Sequence, residues 1–417
     1  MSYDELVEYY DKILNKDRST YTNSNDEPTP IGCIEMMLSK VPETFWKPNM
    51  RILDPCTGNG NFLLVIWNIL REQGFPDSKI FEDILVFNDL NLGRLDNVKK
   101  NFPESVVWNK DFLSKDFTTE KFDMIVANPP YARMQKDGSR ASKNHSLVKD
   151  FIQKSLDILN EGGILVYIVP NSWMSISDRN KLIYTLTKYQ FHWLDINGSK
   201  KWFPKIGSSF TWFVLEKTPS YKNFIVSVKY KNIEYVDTVQ SEIRSYIPLF
   251  YNSIVQSILR KTIDKDNLKF KIETTSDLHK TTKKHLISTE ENEEYKYKLI
   301  HTPKQTVWAS RPHKFQEGYK VFLSLTDKYK IFIDDCGMTQ SVAFIRCKNK
   351  SEAKQYKQVL ENYLYIFINN ICRYGNFNNI RILQKFPYTI EEDPYETFGI
   401  SEEEQKFIED MIQLKIM

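Results

Sequence analysis

Apolar runs and amphipathic stretches alternate along the chain between residues 50 and 217. The apolar runs are short and rich in aliphatic and aromatic residues, which is typical of strands, whereas 61–72 and 146–160 have helical spacing. Near-continuous apolar strands separated by helices predict an α/β fold with a doubly wound, mostly parallel sheet. The last two strands are joined by a short loop, which favours antiparallel pairing between them. The seven predicted strands cover residues 50–54, 84–88, 105–109, 122–127, 163–169, 191–196 and 209–216.

The pattern changes after Pro219, where polar residues become frequent and the strand–helix alternation ends. Residues 318–334 alternate between apolar and polar in the manner of a β-hairpin. We therefore predict two domains. The sheet would lie in residues 1–218, and an α+β domain would lie in residues 219–417.

One long helix is predicted in the second domain. Apolar residues recur at helical spacing over residues 351–374, so one face of this helix would pack in the core. Ser351 is in position to cap the start of the helix, and Gly375 is in position to end it.

The composition is that of a soluble globular protein, with 41% hydrophobic and 27% charged residues. The formal net charge of the 417 residues is only +3, so any surface that binds nucleic acid would have to be local. The five cysteines form no C-x-x-C pair, which argues against a zinc site or a disulfide framework and fits a reducing compartment. No apolar run is long enough to span a membrane, and the charged N-terminus does not resemble a signal peptide. We therefore expect a cytoplasmic protein.

A glycine turn follows the first predicted strand, in the segment DPCTGNGNF at residues 54–62. Gly58 and Gly60 allow the backbone to turn sharply and to approach a bound adenosyl group closely. A dinucleotide-binding fingerprint would have a third glycine where this chain has Leu63, and the Gly-Lys-Ser/Thr of a P-loop does not follow. Two glycines between a strand and a helix are weak evidence alone, so the interpretation depends on the neighbouring strand ends.

The ends of the second and third predicted strands carry groups suited to a nucleoside. Asp89 can accept hydrogen bonds from both hydroxyls of a ribose, although a helix cap is a simpler role for it. Asp111 can accept from an exocyclic amine, and Phe112 can either stack on a purine or pack in the core. Ligands of open parallel sheets bind at the carboxyl ends of the strands, so these successive strand ends together favour an adenosyl ligand.

The segment FDMIVANPPY, residues 122–131, ends the fourth predicted strand. An aromatic amine such as that of adenine is a poor nucleophile, because its lone pair is delocalised into the ring. Two acceptors at its N–H groups can draw the nitrogen toward a tetrahedral state, and Asn128 and Pro129 supply a side-chain and a backbone carbonyl. The prolines restrict the backbone around both acceptors, and the Tyr131 ring can stack on a flat base. A tight loop after a strand is the simpler alternative.

In this order, the motifs resemble those of the S-adenosylmethionine-dependent DNA adenine-N6 methyltransferases. The segment DEPTPIGCIEMML is similar to the family's cofactor-capping segment, with Thr29 as a helix N-cap and Pro30 as the first helical residue. The segment KKWFPKIGSSFTWFVL, residues 200–215, is similar to the later motif whose aromatic residue faces the base, which implies this role for Phe203. The resemblance covers residues 20–217.

The resemblance implies direct transfer of a methyl group from S-adenosylmethionine to the N6 amino group of a flipped adenine in a specific sequence of double-stranded DNA. Such a transfer requires no metal, and we expect no nuclease activity in this chain. A separate restriction endonuclease that acts on the same site would be a partner of such an enzyme. The implied cofactor residues are Thr29, Pro30, Asp54, Pro55, Gly58, Gly60, Asp89, Leu90, Asp111, Phe112 and Asn128. The implied residues at the acceptor base are Asn128, Pro129, Tyr131 and Phe203.

Basic residues near the predicted site are candidates for contacts with DNA phosphates. Some lie in the loop after NPPY and the others flank the predicted base-facing aromatic residue, although a solvated loop is an equally simple reading of them. The candidates are Arg133, Lys136, Arg140, Lys143, Lys200, Lys201 and Lys205.

Three other functions stay open at this point. The enzymes that methylate a glutamine amide of release factors share NPPY, since that amide is also a planar conjugated NH2 group, but their extra domain precedes the glycine turn. Some RNA adenine methyltransferases use the same motif. A catalytically inactive binding module is less favoured, because it would be expected to lose Asn128 or the glycines.

Overall fold

The computed structural model describes residues 2–21, 27–117, 119–131, 146–204, 206–207, 209–326 and 328–413. The chain forms two compact units. Unit 1 comprises Met1–Met174, Asp178–Lys229 and Ile233–Ser245, and unit 2 comprises Ser175–Ser177, Tyr230–Asn232 and Tyr246–Met417. The division into functional domains at residue 218 stays a prediction. In the described ranges, no helix is both long and apolar enough to cross a membrane.

Unit 1 contains a large sheet and several helices. Its strands are β1 (Ile52–Asp54), β2 (Leu85–Asn88), β3 (Val106–Trp108), β4 (Phe122–Ala127), β5 (Leu159–Pro170), β6 (Tyr189–Ile196), β7 (Phe210–Pro219), β8 (Phe224–Tyr230) and β9 (Ile233–Val239). Its helices are α1 (Tyr3–Tyr9), α2 (Ile31–Leu38), α3 (Asn61–Glu72), α4 (Asp77–Lys79), α5 (Leu92–Asn101), α6 (Ser146–Ile158) and α7 (Leu182–Leu186). The seven strands predicted from the apolar runs correspond to β1–β7.

The strand order of this sheet, as far as the described residues extend, is β3-β2-β1-β4-β5-β7-β6-β8-β9. Pairing is parallel from β3 through β5, and β7 is antiparallel to both β5 and β6. The predicted doubly wound, mostly parallel sheet is therefore confirmed, as is the antiparallel pairing of the last two predicted strands. The predicted number of strands was too low, because the sheet continues beyond β6. Strand β8 pairs with β6, with Trp193 opposite Ile225.

The order of the strands reverses at β1, which lies between β2 and β4. The chain proceeds from β1 toward β3 on one side of this point and from β4 toward β5 on the other. Crossover connections that diverge in this way leave a crevice at the carboxyl ends of the strands, where ligands of open sheets bind. Apolar side chains of α3 such as Leu64 and Ile66 are completely buried in the same core cluster as Ile52 of β1. Burying each such side chain contributes about 1.5–3 kcal/mol, which holds the start of α3 at this crevice.

Unit 2 has an α+β fold, as predicted. Its strands are β10 (Ile287–Ser288), β11 (Tyr297–Thr302), β12 (Gln305–Ala309), β13 (Lys320–Ser324), β14 (Ile331–Asp334), β15 (Gly337–Met338) and β16 (Val342–Arg346). Its helices are α8 (Ser253–Lys261), α9 (Lys350–Leu360), α10 (Tyr363–Ile371), α11 (Ile380–Leu383), α12 (Pro394–Phe398) and α13 (Glu402–Gln413). The strands form sheets with the orders β10-β12-β11-β15 and β14-β13-β16. The hairpin predicted over 318–334 is confirmed, since β13 and β14 pair antiparallel with Phe322 opposite Phe332.

The prediction of one helix over residues 351–374 was wrong, because α9 and α10 are separate. The Asn349 side chain, and not that of Ser351, caps α9. The side chain of Asn362 accepts a hydrogen bond from the backbone N–H of Leu364 at 2.9 Å and so begins α10. An asparagine side chain competes with the helical backbone for hydrogen bonds, which is why it favours a helix start over a helix interior.

Candidate active site

The glycine turn lies between β1 and α3. This is the switch point of the sheet, where the order of the strands reverses. Gly58 and Gly60 have φ angles of 56° and 91°, which are in the left-handed region that glycine adopts without steric cost. A Cβ atom on Gly60 would lie 3.3 Å from both Phe87 and Val98, a distance that requires the neighbours to shift. Glycine at position 60 is therefore required both by the backbone conformation and by the available space.

Asp89 lies at the end of β2, opposite this turn. Its Oδ2 accepts a hydrogen bond from the backbone N–H of Gly58 at 2.8 Å, and its Oδ1 accepts one from the N–H of Asn91 at 2.8 Å. The N-cap of α5 is Asn91, so the helix-cap alternative does not describe Asp89. Asp89 therefore orients the glycine turn, and its carboxylate is the type of group that accepts hydrogen bonds from ligand hydroxyls.

Asn88 joins three strand ends and was missed in the sequence. Its Nδ2 donates to the carbonyl of Pro55 at 2.9 Å and to that of Lys110 at 3.0 Å, while its Oδ1 accepts from the N–H of Lys110 at 3.1 Å. This side chain is almost completely buried, with 1% of its surface exposed. A polar residue at the end of the apolar run ILVFN was the available signal, since a buried amide needs hydrogen-bond partners.

Asp54 ends β1 and is buried beneath the turn. Its Oδ1 accepts a hydrogen bond from the N–H of Cys56 at 3.1 Å. Burial, followed by the charge of the nearby Asp89, raises the pKa of the Asp54 carboxyl well above its ordinary value. Pro55 is also buried. The Asp54 carboxyl thus supports the backbone of the turn, and the cofactor roles of both residues stay predictions.

Three further residues predicted to bind the cofactor, Leu90, Asp111 and Phe112, differ strongly in the exposure of their side chains. Leu90, next to Asp89, is an apolar residue that exposes 69% of its surface. Asp111 is exposed, and its Oδ1 accepts from the N–H of Leu113 at 3.0 Å. Phe112 is only 2% exposed, and its ring centroid lies 5.1 Å from that of Phe151. Phe112 is thus part of the core in this structure, and its stacking on a purine stays a prediction.

Asn128 lies half-buried immediately after β4. Its Oδ1 accepts a hydrogen bond from the hydroxyl of Tyr131 at 2.7 Å, and its Nδ2 donates to Oγ1 of Thr29 at 3.2 Å. The Tyr131 ring packs near Phe210, with the centroids 5.9 Å apart. Burial raises the pKa of the Tyr131 phenol above its ordinary value, so the hydroxyl remains a neutral donor. Pro129, whose carbonyl is the second predicted acceptor, is buried.

The predicted capping roles of Thr29 and Pro30 were wrong. Helix α2 begins at Ile31, and Pro30 occupies the N-cap position with an extended backbone. The Thr29 side chain is directed to Asn128, and the Thr29 carbonyl accepts a hydrogen bond from Nδ2 of Asn61 at 2.8 Å. The segment therefore connects the start of α3 with the end of β4. A role of Thr29 or Pro30 in holding a cofactor stays a prediction.

Asn61, the first residue of α3, was not singled out as a site residue in the sequence. It is 5% exposed, and its Oδ1 is a buried atom that has no hydrogen-bond partner among the described residues. An unpaired buried oxygen at a ligand crevice is suited to a donor group of the ligand. Taken singly, Asp89 carries acceptors suited to vicinal hydroxyls, Leu90 an apolar side chain suited to a flat ring, and Asn61 an acceptor suited to an ammonium group.

The turn Gly198–Trp202 and the following Phe203 pack near α2. A Cβ atom on Gly32 of α2 would lie 2.7 Å from the indole of Trp202, so these two residues are in close contact. Phe203 is 6% exposed, and its ring centroid lies 5.4 Å from that of Phe210. The base-facing role of Phe203 stays a prediction, and it would require the side chain to become accessible.

Asp195 anchors this turn from the end of β6. Its Oδ1 accepts a hydrogen bond from the N–H of Ser199 at 3.1 Å, and its Oδ2 accepts one from the hydroxyl of Ser227 at 2.7 Å. Burial is the main cause that raises the pKa of Asp195, from 3.8 to about 6. The folded protein therefore retains a proton on this carboxyl at pH values where the unfolded chain loses it.

Protonation of Asp195 should make the free energy of unfolding depend on pH. Because the folded pKa is raised, the contribution is fully present below pH 3.8 and is lost as the pH rises through about 6. Relative to Asp195→Asn, we expect the free energy of unfolding of the wild type to fall by up to about 3 kcal/mol between pH 4 and 7. Urea unfolding of both proteins across this range measures the difference.

The slope with pH is the diagnostic quantity in this experiment, since the amide introduces a constant offset of its own. Asp96→Asn, at an exposed position on α5, is the control and should follow the pH dependence of the wild type. Parallel curves for the wild type and Asp195→Asn would contradict the assignment.

Two of the candidate phosphate-binding residues lie in the described part of the chain. Lys201 is exposed, and its ammonium lies 5.5 Å from the centroid of the Trp202 ring. The ammonium of Lys200 donates a hydrogen bond to the backbone carbonyl of Ile206, six residues later in the chain. The candidates that lie outside the described residues are Arg133, Lys136, Arg140, Lys143 and Lys205. All seven roles stay predictions.

Comparison with known proteins identifies the region that carries this site. Residues 53–203 match the model of the Eco57I restriction-modification methylase family. The modification methylase CviBIII of Paramecium bursaria Chlorella virus NC1A is 28% identical over 206 residues, which cover 46% of this chain and 50% of the relative. The ribosomal protein uL3 glutamine methyltransferase of Francisella tularensis is 24% identical over 164 residues, which cover 33% of this chain and 51% of the relative. The chain thus matches about half the length of these curated relatives.

A solved structure described as a DrdV–DNA complex has a similar fold. The likeness covers 99% of this chain and 60% of the other, with a TM-score of 0.55 and 11% sequence identity. At this identity the likeness concerns the fold alone, and it extends over unit 2 as well as unit 1. The match over residues 53–203, which contain the glycine turn and NPPY, confirms the resemblance found in the sequence and makes this region of the chain similar to the Eco57I restriction-modification methylases.

Proposed function

We propose that this protein transfers a methyl group from S-adenosylmethionine to the N6 amino group of an adenine in a specific DNA sequence. The observation that carries the proposal is the position of Asn128. Its carboxamide follows β4 at the switch point, and its Oδ1 is held 2.7 Å from the Tyr131 hydroxyl, which is a hydrogen-bond donor. An incoming NH2 group would take the place of that donor.

The acceptor nitrogen would be activated by hydrogen bonding. Oδ1 of Asn128 and the backbone carbonyl of Pro129 would accept from its two N–H groups and favour the tetrahedral state, in which the lone pair is free. Tyr131 would stack on the base, since its ring already lies beside an aromatic surface that includes Phe210. Catalysis would then depend mainly on positioning and electrostatics, because the transferred methyl group is already electrophilic in the cofactor.

The cofactor would be held along the other side of the switch point. Asp89 would accept from the ribose hydroxyls, Leu90 would contact the adenine, and the buried Oδ1 of Asn61 would accept from the ammonium group of the methionine part. Gly58 and Gly60 would let a bound cofactor approach the backbone of the turn closely, and S-adenosylmethionine would supply an electrophilic methyl group. These roles follow from the donor and acceptor inventory of the described residues.

A base inside a duplex could not reach Asn128, so the target adenine would be rotated out of the helix at a cost of a few kcal/mol. Lys201 and the basic residues after NPPY would contact phosphates beside it. Residues 219–417 would recognise the sequence. The proposal includes no nuclease step in this chain, and a separate restriction endonuclease would cleave unmodified copies of the same site.

Glutamine methylation is a second candidate, because a glutamine methyltransferase is among the relatives and the acceptor chemistry is shared. RNA adenine is a third, since it presents the same amine. The relatives are covered only in part, so the acceptor has to be measured. Supplying S-adenosylmethionine with a labelled methyl group, together with DNA, RNA or protein extract, tests all three. We expect label in DNA, recovered as N6-methyladenine after digestion. Label confined to RNA or to protein glutamine would overturn the proposal.

A further inference from the structure

Thr29 makes an unexpected contact at the acceptor site. Its side chain is 4% exposed, and its Oγ1 lies 3.2 Å from Nδ2 of Asn128, which is 99 residues away in the chain. Two features restrict its backbone. The Thr29 carbonyl accepts from Nδ2 of Asn61 at 2.8 Å, and the following Pro30 restricts Thr29 to extended conformations. Thr29 therefore presents a buried acceptor to the Asn128 amide.

The orientation of this amide decides whether the site can function. A carboxamide has an oxygen end and an NH2 end of nearly the same shape, and rotation by about 180° exchanges them. With the oxygen toward the crevice, Asn128 accepts from an incoming amine. With the NH2 group toward the crevice, two donors would face each other. In the structure the NH2 end of Asn128 donates to Thr29 and the oxygen end accepts from Tyr131, which is the productive orientation.

We propose that Thr29 is a positioning residue, which holds the Asn128 carboxamide with its oxygen toward the acceptor nitrogen. The inference rests on the proposed function and deepens it. Tyr131 supports the same orientation by donating to Oδ1, but that hydrogen bond is the one the substrate amine replaces. The hydrogen bond to Thr29 is on the opposite end of the amide, so it persists while the substrate is bound.

Thr29→Val and Thr29→Ser form a matched pair for testing this role. Valine has nearly the shape of threonine but no acceptor, whereas serine keeps the hydroxyl. For Thr29→Val we expect kcat at saturating cofactor to fall about ten- to a hundredfold, the effect of removing one buried hydrogen bond to Asn128. The Kd for S-adenosylmethionine, measured by calorimetry, should change less than about threefold. Thr29→Ser should recover most of kcat.

A second readout does not depend on turnover. Asparagine side chains labelled with ¹⁵N give NH2 signals in NMR spectra, and the signal of Asn128 is identified as the one missing from Asn128→Ala. We expect hydrogen exchange of this NH2 group to be at least about tenfold faster in Thr29→Val than in the wild type, because its protecting hydrogen bond is lost. In Thr29→Ser the exchange should stay slow.

The outcomes separate this inference from the proposed function. Unchanged exchange and unchanged kcat in Thr29→Val would overturn the positioning role. Weaker cofactor binding with normal kcat at saturation would also overturn it and assign Thr29 to the cofactor. If the wild type methylates RNA or glutamine instead of DNA, the kinetic test is made with that acceptor. If the wild type methylates nothing, the proposed function fails, and the exchange of the Asn128 amide still decides the role of Thr29.

Discussion

Asn128→Ala should abolish methyl transfer while leaving the binding of S-adenosylmethionine close to that of the wild type. Asn128 supplies a carbonyl to the acceptor amine, whereas the residues proposed to hold the cofactor, Asp89, Leu90 and Asn61, follow β1 and β2 and not β4. Removing one preorganised hydrogen bond to a transition state costs about 10²–10³ in kcat, and we expect at least this loss. A turnover assay beside a cofactor titration by calorimetry separates the two effects.

Asn68→Ala is the matched control for this variant. Asn68 lies on α3, where its amide donates to the exposed Glu72 at 3.0 Å, so the substitution removes a carboxamide without touching the crevice. We expect wild-type turnover from the control. Substantial turnover in Asn128→Ala would show that Asn128 does not contact the acceptor nitrogen. Loss of cofactor affinity in parallel with turnover would instead assign Asn128 to the cofactor side of the site.

Asp89→Ala should have the opposite profile and weaken cofactor binding. The loss of charge-assisted hydrogen bonds to the ribose should cost about 1.5–3 kcal/mol, or roughly ten- to a hundredfold in Kd. The substitution also removes the acceptor for the N–H of Gly58, which the carboxylate holds at 2.8 Å, so the turn itself should loosen. The measured loss should therefore lie toward the upper end of this range. Calorimetric titration with S-adenosylmethionine provides the measurement.

Asp89→Asn distinguishes the two contributions. Its amide oxygen can still accept from Gly58, but the charge and one acceptor are gone, so we expect a smaller loss of affinity than with alanine. Asp96→Ala, on the exposed face of α5, should leave the Kd unchanged and controls for the loss of a nearby carboxylate. A wild-type Kd for Asp89→Ala would limit Asp89 to the support of the glycine turn.

The sequence by itself determined the scaffold of unit 1 and the position of most candidate residues on it. Periodicity is a local property, and the alternation of apolar strands and helices was enough to predict β1–β7 and their winding. Once parallel pairing is assumed, the residues that follow each strand must lie at one edge of the sheet. Asp89 and Asn128 were therefore predicted to be neighbours of the glycine turn from their places in the chain alone.

Local patterns gave wrong answers where a side chain had a competing partner. The Thr29-Pro30 pair has the composition of a helix start, but the hydroxyl of Thr29 is used by Asn128 and not by α2. Apolar spacing over residues 351–374 continues through Asn362, whose side chain nevertheless interrupts the helix. In both places, the local pattern could not reveal which hydrogen bond is formed.

Only the tertiary structure decided the contacts that set the chemistry of the site. The hydrogen bond between Thr29 and Asn128 joins residues 99 positions apart, and no local pattern predicts it. Asn88 became important because three strand ends meet around it, and the raised pKa of Asp195 arises from burial beneath the turn that follows β6. Burial and long-range hydrogen bonding depend on which surfaces the folded chain brings together. For that reason the chain's pattern identified the candidate groups, and the fold determined which atom each group faces.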